Sequence, residues 1–174
     1  MPKFSRNRVK LEGGTVLWDS VTQPEQTPQG RQKYALKVAF PPNHPDVPLF
    51  NQLATEMLNA SHWRGQLPAG ARMPITTATA HELGGKFEGW SIINFKTMRL
   101  PDVYDSNVEQ IDSLQLPQVL YSGQKVDILG HTYLYDSAGN KGISAGLDAI
   151  KIHTDQNIPR QSFGGSVNTQ EAFL

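Results

Sequence analysis

Apolar and polar residues alternate one by one along several stretches of this chain, the period-2 pattern of strands with one buried face. Over residues 6–11, Val9 and Leu11 share a side with Asn7, while Arg6, Arg8 and Lys10 share the other. Gly13-Gly14 interrupts the pattern and predicts a break or bulge, after which residues 15–18 resume it. Residues 33–40 put Tyr34, Leu36, Val38 and Phe40 on one face and Lys33, Ala35 and Lys37 on the other. Further strands are expected over 90–97, 124–135 and 143–152. The last two are joined by Gly139-Asn140-Lys141-Gly142, where Gly and Asn supply the positive φ of a tight turn.

One segment changes period. After Pro41-Pro42 stops a strand, Leu49, Phe50, Leu53, Ala54, Met57 and Leu58 recur at helical spacing, predicting an amphipathic helix over 46–60 with Asp46 as its N-cap. The connections 19–32, 61–89 and 98–117 read as long irregular loops, and loops beyond about 12–15 residues are usually functional or mobile. These elements predict one mainly β domain over 1–158, of five or so strands with one inserted helix. A flexible tail, 159–174, follows it.

Strand parity then assigns chemistry. Burying Val9, Leu11, Leu36 and Val38 turns Arg6, Arg8, Lys10, Lys33 and Lys37 outward, and if these strands pair, five cations share one sheet surface. In 124–135, burying Val126, Ile128 and Leu134 turns Lys125, His131, Tyr133 and Tyr135 outward. Exposed rings beside cations suit single-stranded nucleic acid, because bases stack on the rings while Lys and Arg follow the phosphates. The alternative is that Tyr133 and Tyr135 pack under the helix or a loop and the lysine faces are merely solvated. Trp63 beside Arg64 presents the same choice between a stacking ring and a core plug. Trp90 and Phe95 have opposite parity; Lys96 shares the side of Trp90 and Ile93 that of Phe95, so Trp90 is the ring expected at the surface. Arg99 follows at the strand end, where it can serve a phosphate or pair with Asp102.

Charge supports this through its distribution. The formal net charge is zero, yet before residue 41 Lys3, Arg6, Arg8, Lys10, Arg31, Lys33 and Lys37 outnumber Glu12, Asp19 and Glu25. Asp102, Asp105, Glu109 and Asp112 make the reverse balance later on. With no cysteine among 174 residues there is no disulfide framework, thiolate metal site or cysteine nucleophile. The N-terminus lacks the apolar core of a signal peptide, and no window nears the ~18–20 apolar residues of a membrane helix. Enzymatic motifs are sparse. His44, His62, His81, His131 and His153 show no metal-ligand spacing and read as surface or loop histidines. Gly84-Gly85-Lys86 lacks the remainder of a phosphate-binding loop, and no cofactor is expected.

The run Tyr121-Ser122-Gly123, a strand ending Tyr133-Leu134-Tyr135-Asp136, and then Gly139-Asn140-Lys141-Gly142-Ile143-Ser144-Ala145-Gly146-Leu147 resembles a family of bacteriophage single-stranded-DNA-binding proteins with an OB-type fold. Looser similarity extends back to Val9, through 33–40 and 90–105. The resemblance implies an OB-like antiparallel barrel with one inserted helix and long loops. It implies a non-enzymatic protein that coats single-stranded DNA without sequence preference during phage replication or recombination, in the cytoplasm of the infected bacterial host. The expected contacts are Arg6, Arg8, Lys10, Arg31, Lys33, Lys37, Trp63, Arg64, Trp90, Lys96, Arg99, Lys125, Tyr133 and Tyr135. The tail carries only Glu171 and the terminal carboxylate, with Phe173 as a hydrophobic tip, and is a docking peptide for phage or host replication proteins in this reading. Alternatives from other classes are a β-rich phage assembly protein and an enzyme of nucleic-acid metabolism.

Overall fold

A computed structural model describes residues 8–137 and 139–163. Among them the order is β1 (Arg8–Asp19), β2 (Glu25–Gln26), β3 (Gln32–Phe40), α1 (Val47–Ala60), β4 (Ile75–Thr77), β5 (Ser91–Thr97), β6 (Asp102–Tyr104), α2 (Leu116–Val119), β7 (Lys125–Ser137) and β8 (Asn140–Ile152). Arg6 and most of the expected tail, 164–174, lie outside the described residues.

Five strands close a ring. β1 pairs antiparallel with β3 on one side and β7 on the other, β3 with β5 and β7 with β8, and β5 and β8 complete the circle in parallel. This is the mainly β, OB-like barrel expected, and β2, β4 and β6 are short additions at β3, β5 and β8. β2, β4, β6 and α2 lie in stretches read above as irregular. At two to four residues, such elements are too short for periodicity to reveal.

The ring needs β1 to bend, since it pairs with β7 from Arg8 to Thr15 and with β3 from Thr15 to Asp19. The bend falls at Gly13-Gly14, where the register with β7 slips between Leu11 and Gly14. Gly13 takes φ 71°, and its N–H donates to Asp127 at 2.9 Å. A Cβ on Gly14 would lie 2.4 Å from Val38 Cγ1, so only glycine lets β1 approach β3 here. The interior takes the residues that parity assigns to it: Val9, Leu11, Leu36, Val38, Phe40, Ile93, Phe95, Val126 and Ile128 are all sealed from solvent. α1 lays Val47, Phe50 and Ala54 against this core, with Phe50 edge-on to Phe95 at 5.9 Å. Asp46 occupies the N-cap position, but its side chain makes no cap bond and instead accepts the Glu12 N–H at 3.2 Å.

Two expectations change. The β7–β8 pairing runs on to Ser137↔Asn140, so Asn140, Lys141 and Gly142 are strand residues and the connection is two residues long. Near the chain's end, Phe163 is buried edge-on against Phe87 at 5.0 Å, Gln161 N–H donates to Ser122 O at 2.9 Å, and the Arg160 guanidinium lies over the Tyr121 ring at 4.5 Å. Residues 159–163 therefore pack along the barrel.

Candidate nucleic-acid interface

Register decides which outward residues meet. On β3, the partly exposed Lys33 and Lys37 lie on the side opposite Tyr34, Leu36 and Val38, with Ala35 buried between them. Ala35 is paired with Lys96 of β5, and Lys96 with Gly146 of β8. On β7, Tyr133 stands opposite Ser144 and Tyr135 opposite Gly142. Between the tyrosines and the lysines, β8 thus contributes only small residues: Gly142, Ser144 and Gly146.

The result is a groove of about 490 Å³ with Lys33, Arg72 and Lys96 along one wall, Tyr133 and Tyr135 along the other, and Ser144 at its base. Lys141 and Asn140 of the hairpin also border it. The two tyrosine rings are half-exposed, 6.5 Å between centroids and tilted by 54°. Among the described residues neither tyrosine belongs to a hydrophobic core cluster.

Arg72 arrives from the long connection after α1. Its backbone bridges β8, the Arg72 N–H donating to Lys141 O at 3.3 Å and the Ile143 N–H donating to Arg72 O at 2.8 Å. A Cβ on Gly142 would sit 2.3 Å from the Arg72 carbonyl and 2.9 Å from the Tyr135 hydroxyl, so glycine at this position admits both groove walls. The same connection touches the hairpin again through His62 Nε2, 2.9 Å from Asp136. His62 supports the Trp63 ring at 4.8 Å. Trp63 belongs to neither hydrophobic core cluster, and Arg64 beside it is exposed with φ 53°.

The cations are close enough to feel one another. Burial first, and then the charges of Lys33 and Arg72, hold the Lys96 ammonium below the ordinary lysine range, with Glu25 opposing them. None of Lys33, Arg72 and Lys96 makes an ion pair among the described residues. A cluster of cations held in no ion pair, beside half-exposed rings, is suited to a polyanion that carries π faces.

The other expected contacts distribute differently. Arg8 and Lys10 are exposed as parity required, but they pair with His131 and Leu129 of β7, whereas Lys37 stands opposite Trp18 at the other end of β1. Arg8 and Lys10 are therefore set apart from Lys33 and Lys37, because β1 divides its length between two partners. Arg8 also lies 3.6 Å from Asp148, and Lys10 lies 2.8 Å from Glu12. Lys125 shares the outward parity of Tyr133 but stands eight residues away along β7, roughly 26 Å at the rise of a strand. Trp90, just before β5, is half-buried, edge-on to Phe87 at 4.9 Å and packed on a satellite cluster with Leu17, Ile92 and Phe163; that end of the strand is covered, while Lys96 at the other end borders the groove. Arg31 is exposed on the β2–β3 turn, and Arg99 borders a second cleft with Arg8, Asp102 and Asp148. His131 and His153, read above as surface or loop residues, are instead partly buried on or beside strands and bonded to Asp148 and Asp127, each at 2.8 Å.

Sequence reasoning placed Arg72 only within the long loop 61–89, a candidate binding element, and not among the expected contacts; it reaches the groove by a bridge to β8 that no local pattern announces. The same reasoning passed over Lys141 by assigning it to the turn. Trp18, 45% exposed, was obscured because residues 14–17 are buried on both strand faces beyond the bulge.

No curated protein matches the chain in sequence. Among solved structures, the single-stranded DNA-binding protein from bacteriophage Enc34 aligns with a TM-score of 0.70 at 17% identity, over 97% of this chain and 90% of that one. The same protein in complex with ssDNA aligns at 0.66 and 16% identity, over 91% and 90%. The gp2.5 single-stranded DNA binding protein of bacteriophage T7 aligns at 0.61 and 13%, over 95% and 99%. At such identities these likenesses establish a common fold. Kinship in sequence comes from the family described as Enterobacter phage Enc34, ssDNA-binding protein, whose profile matches residues 7–174, and it is to this family that the chain belongs.

Proposed function

We propose that this protein binds single-stranded DNA without sequence preference, coating and protecting exposed strands during phage DNA replication and recombination inside the infected bacterial cell, with no cofactor and no turnover. The observation that carries the reading is the groove itself: three cations that make no ion pair among the described residues face two half-exposed tyrosines 6.5 Å apart. Phosphates and π faces are common to all nucleotides, so a site built from these contacts tolerates any base order. Membership of a family described by ssDNA binding agrees with it. Among the described residues no helix is long and apolar enough to cross a membrane. Recruitment of phage or host replication proteins by the tail belongs to the same proposal and is supported by its hydrophobic tip, Phe173.

Anisotropy of a labelled oligo(dT), titrated with protein at several salt concentrations, tests the reading. Expected are saturable binding, a linear fall of log K with log salt, and weak competition by a duplex of equal length. Absence of binding at low salt overturns it.

A further inference from the structure

A third ring continues the line of Tyr135 and Tyr133. His131 lies two residues further along the same face of β7, its centroid 6.1 Å from that of Tyr133, nearly the 6.5 Å that separates the two tyrosines. Two strand residues advance ~6.7 Å, so the three rings form an evenly stepped ladder.

The neighbours of His131 prepare it for the same task. Gly146 lies opposite on β8, and a Cβ there would fall 2.2 Å from the imidazole Cε1, so the ring rests flat on bare backbone. Its Nδ1 is 2.8 Å from an Asp148 carboxylate oxygen. Asp148 is the extra residue of a bulge, because Leu129 pairs with Ala149 while Gly130 already pairs with Leu147. The apolar parity of β8 switches there, from Ile143, Ala145 and Leu147 to Ile150 and Ile152. Bulges commonly re-aim a side chain beside a functional site, and this one directs a carboxylate at the histidine. Arg8, 3.6 Å from Asp148, balances its charge.

Register also ties His131 to the groove. Arg8, His131, Gly146 and Lys96 are consecutive partners across β1, β7, β8 and β5. Beyond this row lies a second cleft, bordered by Arg8, Arg99, Tyr104 and Asp148. We propose that His131 is a third base-stacking position, oriented by Asp148, and that a bound strand passes from the Tyr135–Tyr133 groove over His131 toward Arg99. This rests on the single-strand reading above and specifies how far the site extends.

The test is affinity against oligo(dT) length, from two nucleotides upward, for the wild type, His131→Ala, His131→Gln and His131→Phe, with the melting temperature of each. Loss of one stacked base corresponds to roughly a 5- to 150-fold weakening. His131→Ala and His131→Gln are expected to show it only for oligonucleotides long enough to reach the third ring, while His131→Phe retains most of the affinity. Glutamine can still donate to Asp148, so it reports on the ring even where alanine lowers stability. A His131→Gln protein that binds every length as the wild type does, or that loses affinity equally at all lengths, overturns the third position. If the wild type binds no length, the single-strand reading itself fails, and the two failures are thereby distinct.

Discussion

Replacing Lys33 and Lys96 together by methionine removes two of the three groove cations while keeping most of their apolar stems. If Lys33, Arg72 and Lys96 each hold one phosphate, log K should fall with log salt at a slope of about −2.1, taking about 0.7 per contact on a single strand. Raising salt from 50 to 200 mM then weakens wild-type binding about 20-fold, whereas the variant, with Arg72 alone, should show a slope of about −0.7 and weaken by about 2.6-fold. Stability should move the other way. Burial and the nearby Lys33 and Arg72 charges disfavour the Lys96 ammonium, so the double variant relieves a cost of the folded state and should melt no lower than the wild type. Anisotropy titrations across salt, paired with thermal melts, measure both. An unchanged slope in a variant that melts normally would falsify the assignment of these lysines to phosphate. A fall in melting temperature alongside an unchanged slope would show that their role is to support the fold.

Three further outcomes follow from the same geometry. Tyr133→Ala and Tyr135→Ala should each weaken oligo(dT) binding by about 1 to 3 kcal/mol with little change in melting temperature, since both rings are half-exposed; a large drop in stability at unchanged affinity would place them in the core instead. Because the lowered pKa of Lys96 penalises its charged form in the folded state, stability should rise as pH climbs from that lowered value toward the ordinary lysine value of about 10.4. Affinity for DNA should fall over the same window as the ammonium is lost. Lys96→Arg, charged throughout, should flatten both trends, and titrations in which wild type and variant run parallel would refute this. Gly142→Ala should push the Arg72 backbone off β8, since its Cβ would fall 2.3 Å from Arg72 O at a φ of 155°; a cost of about 1 to 3 kcal/mol in stability, weaker binding and faster proteolysis near Arg72 are expected, and a melt and affinity equal to the wild type would count against the bridge.

Much of the barrel was legible from local pattern. Alternation marked the inward faces of β1 before the bulge, of β3 and of most of β7, helical spacing located α1 to within one residue, and Gly13-Gly14 announced the bulge, because each of these is dictated by backbone geometry over a few neighbours. The outward direction of Tyr133, Tyr135, Lys33 and Lys96 followed from the same parity. Which of them meet did not, since parity says that a side chain leaves the core but not which strand lies alongside. Ring closure decided that: the parallel contact of β5 with β8 carried Lys96 toward the tyrosines, while the division of β1 between β7 and β3 separated Arg8 and Lys10 from Lys37. Trp90 was turned from a free ring into a covered one by Phe87, three residues before it, and by Phe163, far along the chain, which packs edge-on against Phe87. Arg72 entered the groove through two backbone hydrogen bonds to β8, about seventy residues away, made possible by a glycine whose reason for being there is visible only in three dimensions. The chain by itself determined which residues face water; the closed barrel determined which of those became one surface, because that depends on pairings between segments that no local periodicity encodes.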